Sequence, residues 1–209
     1  MTSSKGALRH RFTVEIEQLK PADRALISKA LAYAEGIHEG QYRKSTQYTK
    51  AEPYIVHPIK VALVICDELG ITDATTICGA LLHDTVECGN GKVTTGTIEK
   101  EFGRNIALMV SVLTKPLLDE NVERSEQIAT YHGRLSRTSI NTKLVKLAER
   151  LDNMRDAQEL LDSEFQIRYL KETMKVYVPM AFDTNEHLHS ELVAACNKLD
   201  RTIALSSSY

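Results

Sequence analysis

The sequence predicts an all-α fold, a compact helical bundle built as a single domain. Apolar residues recur at three- and four-residue spacing along most of the chain, and no pair of alternating segments indicates adjacent strands. With 209 residues and 43% hydrophobic side chains, the chain is long enough for one well-buried core and short for two. Residues 1–20 are polar and mixed and predict an N-terminal extension, either loose or a short docked helix. The bundle is expected over residues 21–204, with a frayed tail at 205–209.

The net charge, the apolar runs and the cysteine spacing indicate which partners and which cellular compartment to expect. The 26 Lys and Arg against 28 Asp and Glu give a formal net charge of −2, so no global field attracts nucleic acid or an anionic membrane. No run of about 18 apolar residues is present, and the N-terminus lacks an apolar run of the signal-peptide type. The four cysteines form no CxxC pair, which favours a reducing compartment. We therefore predict a cytoplasmic protein without nucleic-acid or membrane partners, either monomeric or homo-oligomeric.

Proline, glycine and capping residues delimit the first helices. Pro21 predicts the first turn of a helix that Gly40 ends. Pro58 predicts the first position of the next helix, with a stop at Gly70. Asp73 is expected to cap the helix that follows, because its carboxylate can accept from the free N–H groups of the first turn.

The second half of the chain continues the helical spacing. Gly103 divides residues 97–114 into two short helices, and another helix ends near Leu135. Pro179 is expected to kink or end a later helix, because its ring clashes with the preceding turn. A last amphipathic helix runs to about Ile203.

A polar cluster follows the apolar face of the helix that Asp73 caps. On a helix, His83 and Glu87 lie four residues apart and Asp84 and Glu87 three apart, so all three overlook one small volume. Imidazole and carboxylate are ligands for first-row divalent metals, and a further carboxylate can take a proton from a metal-bound water. The alternative is a histidine tied to a nearby carboxylate at a helix end.

A second histidine and a basic loop come earlier in the chain. His57 lies directly before a proline, at a helix entrance, where its side chain can point into a cleft. The preceding loop, residues 41–54, carries Arg43, Lys44 and Ser45, whose guanidinium, ammonium and hydroxyl groups are complementary donors to phosphate. The alternative is an ordinary solvated loop.

Residues 143–156 form an amphipathic helix with acids beside its apolar face. Glu149 and Asp152 lie one turn apart, and either could reach a metal. The alternative is a charged helix whose acids pair with cations of the same helix. Those cations are Lys146, Arg150 and Arg155.

Four stretches in this order closely resemble the hydrolase domain of the Rel/Spo alarmone enzymes, part of the HD superfamily of metal-dependent phosphohydrolases. They are YRKS at 42–45, PYIVHP at 53–58, LLHDTVE at 81–87 and VKLAERLDNMR at 145–155. The similarity covers roughly residues 25–182 and implies a bundle of the HD phosphohydrolase type. Because the chain ends where the family's synthetase domain would begin, the resemblance implies a stand-alone small alarmone hydrolase.

The resemblance also implies roles for individual residues. The metal ligands it implies are His57, His83, Asp84 and, at a position where the family normally has Asp, Glu149. Glu87 matches the acidic residue that handles the nucleophilic water. The positions that hold the nucleotide and its phosphates are Arg43, Lys44, Ser45 and Asn153. The implied metal is Mn²⁺, although these ligand types equally admit iron, cobalt or zinc.

Two residues depart from the family pattern. Cys88 stands where an acidic residue usually follows the Glu of the second motif, so a carboxylate is missing there. Glu149 is one methylene longer than Asp, which moves its carboxylate by about 1.5 Å unless the helix shifts. Both departures bear on whether activity is retained or reduced.

The function implied is metal-dependent hydrolysis of the 3′-pyrophosphate of (p)ppGpp or (p)ppApp, a small-molecule nucleotide substrate. Its products are pyrophosphate and a nucleoside di- or triphosphate. One alternative is a phosphohydrolase of another 2′- or 3′-phosphorylated nucleotide such as NADPH. Others are a nucleotide-binding sensor with weakened catalysis and an antitoxin opposite an alarmone-synthesising toxin.

Overall fold

The computed structural model describes residues 4–43, 52–116, 119–159 and 162–206, and it confirms the all-α class. The helices are α1 Ser4–Glu17, α2 Pro21–Ile37, α3 Val56–Leu63, α4 Ala74–Leu82, α5 Thr85–Cys88, α6 Thr95–Phe102, α7 Arg104–Leu113, α8 Arg124–Ser136, α9 Ile140–Ala157, α10 Ser163–Glu172, α11 Val178–Phe182 and α12 Glu186–Ser206. Two π-helical turns, Val64–Glu68 and Thr173–Tyr177, extend α3 and join α10 to α11.

Helix α4 lies at the centre of the bundle, in contact with α2, α3, α7 and α9. Nearly all of its side chains are buried, as expected for a helix that is apolar around its whole circumference. Asp73 caps it as predicted, accepting a hydrogen bond from the backbone N–H of Thr76. A methyl group at Gly79 would lie 2.2 Å from the sulfur of Met109, so this glycine permits the close approach of α7.

Helix α1 occupies residues expected to form a polar extension. Phe12 is completely buried and Ile16 almost so, and the helix packs against α3. Its apolar contacts therefore contribute to the common core. The division of the chain at residue 20 stays a prediction.

Pro179 is expected to kink or end its helix, and the structure shows that the helix does not end there. Helical backbone continues through Pro179 to Phe182. The π turn Thr173–Tyr177 comes just before, and its wider ring, closed by the Val178 N–H on the Thr173 carbonyl, relieves the clash of a proline ring with the preceding turn.

None of the helices in the described part of the chain combines the length and the apolar composition needed to cross a bilayer.

Candidate metal centre

Three predicted ligands meet where α3, α4 and α5 converge. The ligand atoms of His57, His83 and Asp84 all lie within 4.8 Å of one another. His83 Nε2 lies 3.2 Å from both His57 Nε2 and Asp84 Oδ2. As expected from the sequence, the apolar helix ends at this polar cluster: α4 ends at Leu82, His83 and Asp84 form a turn, and α5 begins at Thr85. Both side chains of the turn reach the same point.

The outer nitrogen of each imidazole is held by an acceptor. His57 Nδ1 lies 2.6 Å from Asp152 Oδ2, and His83 Nδ1 lies 2.8 Å from the carbonyl of Ala80. Each Nδ1 is therefore placed to donate a proton to its acceptor, which directs each Nε2 at the common point. Two ring nitrogens 3.2 Å apart need a proton or a metal ion between them. The donor set thus fits a divalent metal ion.

The titration of the cluster agrees with a preference for positive charge. Burial lowers the pKa of His83, but Asp84 outweighs burial and raises it to about 9. Burial likewise opposes ionisation of Asp84, yet His83 and His57 hold its pKa well below the usual range. Without a metal ion, the site therefore pairs an ionised Asp84 with a protonated His83 near pH 7, and a divalent ion would take the place of the His83 Nε2 proton.

Tyr54 orients Asp84, a role that the sequence analysis did not assign. Its hydroxyl donates a 2.7 Å hydrogen bond to Asp84 Oδ2, and its ring stacks on His38. An isolated antiparallel bridge between Tyr42 and Pro53 brings this segment back to the site. Tyr54 belongs to the motif PYIVHP at 53–58, but only the fold shows that its hydroxyl reaches Asp84.

Glu149 lies beside the three-ligand cluster and is held by cations. Its Oε2 lies 2.6 Å from Lys146 Nζ, and its Oε1 lies 3.9 Å from Lys115 Nζ. Burial raises the pKa of Glu149, but Lys146 and Lys115 outweigh it and bring the pKa to about 2. The ion pair within α9, which the sequence left open as an alternative, is therefore present. The role of Glu149 as fourth metal ligand stays a prediction.

Lys146→Met is expected to destabilise the protein by about 3–5 kcal/mol, because it leaves Glu149 buried without its closest counter-charge. Urea unfolding followed by circular dichroism measures the change. The control is Lys198→Met, an exposed lysine on α12, for which about 0.5 kcal/mol or less is expected. Equal stability of the two variants would contradict a stabilising buried pair.

Asp152 links His57 to Arg43 on the side of the imidazole that faces away from the cluster. The Asp152 oxygen that binds His57 also accepts a 3.0 Å hydrogen bond from Arg43 Nη1. Arg43 further contacts Asn153 Oδ1 and, at 2.8 Å, Asp156. Asp152 thus orients a histidine and pairs with Arg43, which is neither of the two alternatives that the sequence offered for the acids of α9. Lys44 and Ser45, predicted to hold phosphate, lie outside the described residues.

Glu87 faces the cleft next to the cluster. Its Oε1 accepts a 2.6 Å hydrogen bond from the backbone N–H of Lys115. Partial burial raises the pKa of Glu87, Asp84 and Glu149 add to the rise, and Lys115 opposes it. Lys115 follows α7 and is separated from Glu87 by 28 positions, so no sequence spacing could have indicated the contact.

Arg43, His57, Asp84, Glu87 and Glu149 line one cleft of about 790 Å³, a size in the range of small-molecule sites. Its lining residues are Tyr42, Arg43, Glu52, Tyr54, His57, Lys60, Asp84, Glu87, Lys115, Glu149, Asn153, Asp156, Ala157, Glu159, Phe165 and Tyr169.

Comparison with known proteins identifies the family. The family model described as the HD domain matches residues 30–183. The chain belongs to the HD domain family. This finding confirms the resemblance drawn from the four sequence motifs, and the HD domain implies a divalent metal at the cluster.

The HD domain described here is similar to proteins of several organisms. It is 38% identical over 135 residues to the guanosine-3′,5′-bis(diphosphate) 3′-pyrophosphohydrolase MESH1 of Xenopus tropicalis, covering 65% of this chain and 71% of that protein. It is 36% identical over 157 residues to a guanosine-3′,5′-bis(diphosphate) 3′-pyrophosphohydrolase of Aquifex aeolicus, covering 74% of this chain and 21% of the relative. The chain therefore spans about a fifth of that relative's length.

A solved structure has a similar fold. It belongs to a metazoan orthologue of SpoT that hydrolyses ppGpp and plays a role in starvation responses. The two structures agree with a TM-score of 0.71 at 31% sequence identity, over 83% of this chain and 95% of the other.

Proposed function

We propose that this HD domain hydrolyses the 3′-pyrophosphate of an alarmone nucleotide, (p)ppGpp or (p)ppApp, releasing pyrophosphate and a nucleoside di- or triphosphate. The observation that carries the proposal is the His57–His83–Asp84 cluster opening into one cleft with Glu87 and the cations Arg43 and Lys115. A metal cluster, an acid and cations are the groups needed to attack and hold a phosphate ester. The relatives named as 3′-pyrophosphohydrolases support this substrate class.

The proposed metal is Mn²⁺, which the resemblance to the Rel/Spo hydrolase domain implies and with which a mixed set of imidazole and carboxylate ligands is compatible. His57, His83 and Asp84 would hold the ion, with Glu149 as a fourth ligand if it exchanges its contact with Lys146. A divalent ion there supplies Lewis-acid polarisation of a phosphoryl oxygen and lowers the pKa of a water.

Glu87 is proposed as the proton acceptor for the attacking water. Its raised pKa brings the carboxylate closer to the working pH, which favours general-base catalysis. The backbone N–H of Lys115 holds one carboxylate oxygen, so the other stays available to the water. Attack on the phosphorus breaks its bond to the ribose 3′-oxygen, which is the leaving group and to which the proton accepted by Glu87 can return. The released pyrophosphate carries the oxygen of the water, and Lys115 and Arg43 are placed to offset its charge.

Arg43 and Asn153 are proposed to bind the nucleotide, together with Lys44 and Ser45. The guanidinium now rests on the carboxylates of Asp152 and Asp156. A phosphate would therefore compete with these acids for the same donors, and the bidentate geometry of Arg suits that exchange.

The test is turnover of ppGpp and ppApp, side by side, by protein stripped of metal and resupplied with Mn²⁺, with released pyrophosphate as readout. Manganese-dependent release from at least one of them is expected, and the ratio of the rates names the preferred base. NADPH is assayed in parallel for phosphate release, because it tests the alternative of a phosphohydrolase that acts on another 2′- or 3′-phosphorylated nucleotide. Turnover of NADPH alone would contradict the alarmone proposal.

Cys88 favours a second candidate, a nucleotide-binding sensor. Burial raises the pKa of its thiol to about 11, so it is neutral near pH 7 and cannot replace a carboxylate as a base. Tight ppGpp binding with no pyrophosphate release at saturating Mn²⁺ would mark the sensor. Measurable turnover would exclude it.

A further inference from the structure

A set of stacked side chains lies at one wall of the cleft. Phe165 and Tyr169, one turn apart on α10, stack with ring centroids 5.2 Å apart and planes 17° apart. The Arg150 guanidinium lies 4.0 Å from the Tyr169 centroid and 3.9 Å from that of Tyr177. We call Phe165, Tyr169, Arg150 and Tyr177 the aromatic stack.

The inner part of the aromatic stack is buried and tightly held. Tyr177 is 1% exposed and Arg150 4%. One amino group of Arg150 donates a 2.7 Å hydrogen bond to Glu172, whereas its buried Nη1 has no hydrogen-bond acceptor in the described part of the chain. The guanidinium therefore pairs with Glu172 and also lies over both tyrosine rings, and these cation–π contacts stabilise the orientation of the rings.

The outer part of the aromatic stack is open. Phe165 and Tyr169 are both partly exposed, and both line the cleft that contains the metal cluster and Glu87. Burial raises the pKa of Tyr169 to about 12, so its ring is a neutral phenol at physiological pH. The cleft thus has a charged, phosphate-binding part and a flat aromatic part held rigid from behind.

We propose that Phe165, supported from behind by the stacked Tyr169 ring, forms the platform on which the purine base of the substrate stacks. The inference rests on the proposed function, because the phosphate groups place the nucleotide in this cleft. Stacking on an aromatic face is tolerant of base identity, since every purine offers a π-face. The platform therefore binds guanine and adenine nucleotides with similar affinity and leaves discrimination to contacts at the base edge.

The first test compares Phe165→Leu with wild type by calorimetry, using GDP and pyrophosphate in the presence of Mn²⁺. Loss of the ring is expected to weaken GDP binding about tenfold to a hundredfold and to leave pyrophosphate binding unchanged. Phe165→Tyr, which keeps the ring, is expected to retain GDP affinity. Phe182→Leu is the matched control, because Phe182 is 72% exposed and is not among the residues lining the cleft.

A second variant reports stacking directly. The chain contains no tryptophan, so Phe165→Trp introduces a single indole at the platform. GDP and ADP are expected to quench its fluorescence, and pyrophosphate is not. A Phe182→Trp variant should respond to none of them.

The outcomes separate the two proposals. Unchanged GDP affinity in Phe165→Leu, with manganese-dependent alarmone turnover intact, would overturn the platform and leave the proposed function standing. Failure of the wild-type protein to bind GDP, ADP or ppGpp would overturn both. A parallel loss of GDP and pyrophosphate binding in Phe165→Leu would show a general disturbance of the cleft and would also overturn the platform.

Discussion

His83→Ala and Asp84→Ala are each expected to abolish bound metal and turnover together. His83 Nε2 lies 3.2 Å from both His57 Nε2 and Asp84 Oδ2, so each change removes one of three converging ligands. Loss of a residue that hydrogen-bonds to a metal ligand typically lowers metal affinity or activity about 10- to 100-fold. Loss of the ligand itself should lower both by more than that. Metal content by mass spectrometry and pyrophosphate release measure the two effects.

Two further variants complete this experiment. His10→Ala changes an exposed histidine of α1 and should alter neither metal content nor turnover. Asp152→Asn keeps the shape of the group behind His57 and removes its charge, so a loss of about 10- to 100-fold is expected. A His83→Ala protein that is folded, active and free of metal would refute the assignment of the site.

Glu87→Gln is expected to lower turnover by about 10²- to 10⁴-fold, the usual scale for a lost general base. The amide oxygen can still accept the hydrogen bond from the N–H of Lys115, so the side chain should keep its position. Metal content and the Kd for ppGpp should change little. Single-turnover kinetics with titrated Mn²⁺ separate a slower chemical step from weaker binding.

The matched control for Glu87→Gln is Glu99→Gln, an exposed acid on α6. It should leave the rate unchanged. If Glu87→Gln retains the wild-type rate, Glu87 does not accept the proton. If it loses metal instead, Glu87 belongs to the ligand set, and the proton acceptor must be another residue.

Much of the fold and part of the site could be predicted because they depend on short-range sequence. Helical spacing, the Asp73 cap and the split at Gly103 all agree with the structure, since they follow from hydrogen bonds and side-chain positions within a few residues. Adjacent His83 and Asp84 signalled a metal site for the same reason. Of the two effects expected of Pro179, a kink or a helix end, the end is absent, because a π turn, which has no clear sequence signature, relieves the clash with the proline ring.

By itself, the sequence determined the all-α class, the order of the helices and which residues carry imidazole or carboxylate groups near a helix end. Only the tertiary structure decided the partners of those groups. Asp152 meets His57 across 95 positions, and Lys115 meets Glu87 across 28. Glu149 binds Lys146 within its own helix while lying near the metal cluster. The physical reason is that hydrogen bonds and ion pairs depend on distances of a few ångströms, which helix packing sets and residue spacing along the chain does not.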